Sequence, residues 1–239
     1  MTDTPEVTEH DEVHWSYAGQ DGPEHWGELS EDFELCGLGE EQSPIDITNP
    51  TTKGLDNIVF EYQPTEVRIL NSGHTIQVNY DAGSSIQYEG QKYDLLQFHF
   101  HAPSEHTVDA IQFDAEMHLV HVDENGRLTV VGVLITKGAA NEAFAPVWDS
   151  LPKDESSETV TGMMVNAAEL LPSDQTTFRY SGSLTTPPCS EGVRWLVMTT
   201  PVEMSVEQIT AFTDIFNGNN RPLQPLHSRE VIKANTPSE

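Results

Sequence analysis

Positive charge is what this sequence has least of. Its 239 residues carry 11 Lys and Arg against 39 Asp and Glu, a formal net charge of −28. No base occurs before Lys53, while the first fifty residues hold 14 acids. Phosphate-rich partners and anionic membranes would be repelled over most of such a surface, so no nucleic acid is expected to bind. Long hydrophobic runs are also missing. Nothing approaches the ~18 consecutive apolar residues of a membrane span, and residues 1–14 lack the basic start and apolar run of a secretory leader. Cysteine is nearly absent. Cys36 and Cys189 are too few for a disulfide scaffold, and are either two thiols or one bridge across 153 positions. A bridge would imply an oxidising compartment. No Asn-x-Ser/Thr acceptor with x other than Pro is present, so N-glycosylation is not expected.

Linkers and repeats are absent too. Pro and Gly are scattered, so the chain reads as a single domain over 1–239, with 1–13 an acidic, mobile N-terminal segment. Dense acidic charge repels itself in dilute buffer, and salt screens that repulsion within a Debye length. The expectation is a halotolerant protein whose melting temperature rises from low salt to molar NaCl. A flat or falling melting temperature would contradict it.

What is abundant is β patterning. Asn57–Tyr62, Glu66–Leu70, Thr75–Tyr80, Ser85–Tyr88, Leu95–His101, Ala115–His121, Leu128–Lys137 and Val193–Thr199 read as strands, separated by turn-forming residues. Asp123–Arg127 reads as a hairpin turn. Ser205–Phe216 carries Val206, Ile209, Phe212 and Phe216 at helical spacing, and Ala140–Leu151 is a second helix candidate. The fold class is therefore mainly β with short peripheral helices.

The informative segment is Gln97-Phe-His-Phe-His101, followed by Glu116-Met-His118. Side chains at i and i+2 share one face of a strand. Gln97, His99 and His101 therefore line one face, and Phe98 and Phe100 the other. Glu116, His118 and Val120 share a face of the next strand. Two histidines from one strand and one from its neighbour can meet at a point. Three neutral imidazoles with an open fourth position make a catalytic zinc site. Gln97 and Glu116, each two residues before a ligand, are candidates to accept the ligand's other N–H.

Further motifs surround this constellation: His14-Trp-Ser-Tyr17, Gly22-Pro-Glu-His-Trp-Gly27, Gln42-Ser-Pro-Ile-Asp-Ile47, Asn71-Ser-Gly-His74, Ser104-Glu-His-Thr-Val-Asp109, Ser183-Leu-Thr-Thr-Pro-Pro188 and Arg221-Pro-Leu-Gln-Pro-Leu226. In this order, over about residues 14–232, the chain resembles the α-class carbonic anhydrases. Ala102-Pro103 after the second histidine, and the short spacing to Glu116, resemble the bacterial secreted or periplasmic branch. The resemblance implies a central, twisted, mostly antiparallel sheet of about ten strands. It implies a Cys36–Cys189 disulfide, hence a secreted or periplasmic protein, and cis bonds at Ser43-Pro44 and Pro187-Pro188.

The activity it implies is zinc-dependent, reversible hydration of carbon dioxide to bicarbonate and a proton, by attack of a zinc-bound hydroxide. His99, His101 and His118 would hold Zn2+. Thr185 would orient the hydroxide and pass its own proton to Glu105. Val120, Val130, Leu184, Thr186 and Trp195 would form the substrate pocket. His74 would carry the proton to buffer, along waters ordered by Tyr17, Asn71 and Gln77. Esterase side activity, inhibition by sulfonamides and anions, and a monomeric or homodimeric state are also implied. His106 and His121 are expected to be hydrogen-bonded within the structure, and His10, His14, His25 and His227 are not ligand candidates.

Overall fold

A computed structural model of the chain describes residues 13–235; the expected acidic N-terminal segment thus falls almost wholly outside the described residues. Ten strands form the main path of one large twisted sheet. They are β1 (Thr51–Gly54), β2 (Thr65–Asn71), β3 (Ile76–Asn79), β4 (Gln91–His101), β5 (Ala115–Val122), β6 (Leu128–Lys137), β7 (Ser156–Val165), β8 (Thr177–Ser183), β9 (Glu191–Met198) and β10 (Ile232–Asn235). Their order is β7-β2-β3-β4-β5-β6-β9-β8-β10-β1. Val59–Glu61, Ser85–Tyr88 and Val202–Met204 add three more strands to it. Most pairings are antiparallel. Parallel ones join β6 to β9 and to Val202–Met204, and β10 to β1.

Strict alternation gives the central strands two faces of different chemistry. On one face Val78, Phe98, Phe100, Leu119, Val131 and Leu196 join a single apolar core. Peripheral helical residues such as Phe144, Val147, Ile209 and Phe212 complete that core. Burying each large side chain contributes roughly 1.5–3 kcal/mol. A one-residue slip would turn all of them outward at once, so the register is strongly fixed. The opposite face carries the histidines and a second cluster built on Val130, Leu134, Trp195 and Val197, capped by Ile45 and Ile47. The β5–β6 hairpin closes through Asp123, whose carboxylate accepts from the N–H groups of Asn125 and Arg127 at 2.9 and 2.8 Å. Gly126 supplies the positive φ of 79° that the turn requires.

The helices are shorter than the sequence pattern suggests. Val206–Thr213 is a true α-helix, started by a capping box between Ser205 and Gln208. It stops before Phe216, which still packs on Phe212 at 5.3 Å between ring centroids. The 140–151 region is only a turn of 3-10 helix, Glu142–Phe144, running into Ala145–Trp148. β7, β8, β10 and β1 are strands that the pattern did not reveal. β7 is an edge strand with only Val165 buried, and β8 is buried on nearly every residue, so neither alternates. Cis peptide bonds occur at Ser43-Pro44 and Pro187-Pro188, as expected, and also at Ala102-Pro103.

Candidate metal centre

The register of three adjacent strands assembles the site. His99 of β4 lies directly across from His118 of β5 and from Gln77 of β3, so all three share a rung of the sheet. His101 lies two residues further along β4, opposite Glu116. One ligand atom from each of His99, His101 and His118 falls within 4.8 Å of the others. Their ring centroids are 5.1, 5.2 and 4.7 Å apart. His101 and His118 are buried; His99 is half-buried and forms the open side.

The second nitrogen of each ring is already committed. His99 Nδ1 donates to Gln97 Oε1 at 2.8 Å, His101 Nδ1 to the Asn219 carbonyl at 2.6 Å, and His118 Nε2 to Glu116 Oε1 at 3.0 Å. All three partners are acceptors. Each therefore fixes the tautomer and leaves the other nitrogen with a free lone pair. That pair is aimed at a shared point: His101 Nε2 is buried with no partner at all. Burial, followed by repulsion from His101 and His118, holds His99 well below the usual histidine pKa. Burial also lowers His101. Neutral imidazoles with free lone pairs fit a zinc ion.

Behind His118, the Glu116 carboxylate accepts four hydrogen bonds. Oε2 takes the backbone N–H groups of Glu105 and His106 at 2.9 and 2.8 Å. Oε1 takes His106 Nδ1 at 2.7 Å and His118 Nε2 at 3.0 Å. Burial alone would raise the Glu116 pKa, but His106 and His118 outweigh it and hold the carboxyl well below its ordinary value. His106 Nε2 in turn accepts from Tyr180 Oη at 2.6 Å, and Tyr180 Oη is 2.9 Å from Ser43 Oγ. His121, as expected, is also internal. It bonds Tyr62 Oη at 2.8 Å, and burial lowers its pKa to about 4.

Glu105 is buried beside the ligands. Its Oε1 accepts from the Arg221 N–H at 2.8 Å, and its Oε2 has no partner. Among the described residues no hydrogen bond joins it to Thr185, which is buried in the turn between β8 and β9. Tyr17 Oη is also buried and unpartnered. Val120, Val130, Leu184 and Trp195 fall in one apolar cluster, with the Trp195 ring 4.8 Å from that of His118. Thr186 is half-buried and accepts from the Cys189 N–H at 2.9 Å. His74 is half-buried and stacks on Trp15 with centroids 3.6 Å apart.

Asn71 is a correction. It pairs with Ile76, whose side chain is in the apolar core, so it lies on the face opposite Gln77 and His99. Its amide holds the turn instead, accepting from the Gly73 N–H at 2.9 Å and donating to the Pro152 carbonyl at 3.2 Å. Asn219 is the residue that sequence reasoning missed. Its backbone carbonyl receives His101, and its side chain donates to the carbonyls of His74 and Phe100 at 3.0 and 2.9 Å. It thus ties the His74 turn to the second ligand. A backbone carbonyl used as a partner leaves no mark in a sequence.

Cys36 and Cys189 form a disulfide, with Cα atoms 5.0 Å apart. It closes the turn that carries Thr185 onto the short helix Leu35–Leu38.

Three histidines on the face of a twisted, mostly β sheet, with an open side and a hydrogen-bonded acceptor behind each ring, have the arrangement expected of a catalytic rather than a structural metal site. Comparison with known proteins gives that class its family. Residues 21–235 match the eukaryotic-type carbonic anhydrase family. A carbonic anhydrase of Nostoc sp. is 47% identical over 228 residues, covering 93% of this chain and 86% of the relative. One from Pectobacterium carotovorum is 44% identical, covering 93% and 91%. The solved structure of the α-carbonic anhydrase of Thermovibrio ammonificans, in complex with the inhibitor sulfanilamide, superposes with a TM-score of 0.91 at 43% identity, covering 93% of this chain and all of that one. The chain belongs to the α-carbonic anhydrase family. It is a carbonate dehydratase, a lyase that hydrates carbon dioxide.

Proposed function

We propose that His99, His101 and His118 hold a zinc ion, and that the whole chain works as one catalytic unit around it. The observation that carries this is the set of three free lone pairs, each fixed by an acceptor on the far side of its ring. A zinc ion there would acidify a water and present it to carbon dioxide as the nucleophile. The protein supplies the rest. Thr185 would accept a hydrogen bond from the attacking oxygen and donate its own O–H to Glu105 Oε2, an acceptor left open among the described residues. Val120, Val130, Leu184 and Trp195, with Thr186 at the edge, offer an apolar surface suited to a substrate without charge or dipole. The same nucleophile would attack activated esters as a side reaction. The sulfanilamide complex of the Thermovibrio relative supports a sulfonamide or anion taking the open position.

The released proton must then leave. Direct release from an acid of pKa ~7 to water is limited to roughly 10³ per second. A relay with a pKa near working pH removes that limit. His74 serves as the relay, with waters ordered by Tyr17 and Gln77. Burial and the neighbouring His14 lower the His74 pKa, against a smaller upward pull from Glu155. His74→Ala is expected to lower the maximal rate in weak buffer to about 10³ per second, and added imidazole to restore it. An unchanged rate in weak buffer would remove His74 from the path.

The disulfide supports a secreted or periplasmic location. The distribution of charge supports halotolerance. Arg179, Arg221 and Arg229 are spent on backbone carbonyls, and Lys53, Arg68, Lys92, Arg127, Lys137 and Arg194 on single carboxylates or pairs of them. The remaining acids are left to repel one another across the surface. No helix among the described residues is long and apolar enough to cross a membrane. A monomer or a homodimer is compatible with this reading.

A further inference from the structure

Gly132 stands in the middle of β6, directly across from His118. A glycine inside a strand weakens it, through lost entropy and a missing contact, and needs a reason. The backbone does not supply one, because Gly132 is not among the glycines with positive φ. The space around it does. A Cβ at this position would stand 3.1 Å from Glu116 Oε1, 3.4 Å from Val197 Cγ2 and 3.7 Å from the Trp195 ring. The last two are ordinary contacts. The first is tighter than nearly all real contacts of this kind, so the carboxylate would have to give by a few tenths of an ångström.

That carboxylate has nowhere to go without loss. Four hydrogen bonds of 2.7–3.0 Å hold it, one of them to His118. We propose that Gly132 is a positioning residue for the metal centre, its missing side chain being the space in which the Glu116 carboxylate lies against His118. The inference rests on the zinc reading above. A methyl group at 132 pushes Oε1 and lengthens the Glu116–His118 bond, whose weakening loosens the orientation and basicity of one ligand. Partners of this kind change metal affinity by about 10–100-fold when disturbed.

The test is zinc affinity, read by competition with a chromogenic chelator and independent of turnover. Gly132→Ala is expected to raise the zinc dissociation constant several-fold, up to about tenfold, less than loss of the carboxylate itself. In a Glu116→Ala background, where no carboxylate remains to be displaced, the same change is expected to alter it less than about twofold. Equal losses in both backgrounds would mean simple packing and would overturn the proposal, as would an unchanged constant in the first. Should Gly132→Ala alone fail to fold, Glu116→Ala becomes the reference: the double variant is expected to melt no lower than Glu116→Ala, because the methyl then enters vacated space. A double variant that melts well below Glu116→Ala would overturn the proposal. A parent protein that binds zinc tightly yet hydrates no carbon dioxide would sink the proposed mechanism and leave this inference standing.

Discussion

Stripping the metal is expected to reduce carbon dioxide hydration to the uncatalysed background, and one equivalent of zinc to restore it. Stopped-flow hydration on untreated, stripped and reloaded protein makes the measurement. The effect should be complete because a water without a metal ion keeps its bulk pKa of about 15.7 and supplies almost no hydroxide at neutral pH. The same experiment should change stability. Without a metal, His101 Nε2 is a buried polar atom with no partner, a situation that costs about 1–3 kcal/mol. Zinc at a thousand times its dissociation constant adds about 4 kcal/mol to the folded state, which for a chain of this size raises the melting temperature by roughly 10 °C. Zinc bound stoichiometrically without activity would mean a blocked site, and failure to bind zinc would overturn the histidine argument.

Breaking the Cys36–Cys189 bridge should have the largest effect on stability alone. The loop it closes spans 153 residues. In the chain-entropy model such a closure is worth roughly 5 kcal/mol, so a Cys36→Ser/Cys189→Ser variant should melt roughly 15 °C lower. Local bonds point the same way. The Cys189 carbonyl receives Gln42 Nε2 at 3.0 Å, and the Cys36 carbonyl receives Arg221 Nη2 at 2.8 Å. The bridge and the Gln42 bond hold residues 36–42 against the turn bearing Thr185, and the Arg221 bond ties the same stretch to the C-terminal part of the chain. Urea unfolding of the parent and the variant reads the difference. A loss below about 1 kcal/mol would show that the unbridged chain is already restricted in its unfolded state.

Much of this molecule is legible wherever side chains alternate. Phe98-His99-Phe100-His101 announces a strand with an apolar face and a ligand face, and the structure keeps that division. Legibility fails where alternation does. β8 is buried almost throughout, and β7 is exposed almost throughout. Either pattern is silent at a period of two. The 140–151 segment has helical composition but is spent in two short turns, packing Phe144 and Val147 into the core. Around the site, Gln97 and Glu116 could be found because a strand carries their side chains toward the ligand on their own face. Asn219 could not, because its contact with His101 is made by backbone. Asn71 is misplaced when read from its motif rather than from its strand: Ile69 and Val67, two and four residues earlier on the same face, lie in the apolar core.

The alternation along β4 has a genetic consequence. Neighbouring codons there answer to different demands, odd-numbered positions from 97 to 101 to chemistry and even-numbered ones to cohesion of the core. Drift in one set can proceed without disturbing the other, so a lineage can retune its working temperature while its reaction centre stays the same. The arrangement is also brittle in one particular way. Loss of a single codon within this run would exchange the two sets, setting phenylalanine rings where the ion belongs and imidazoles in oil.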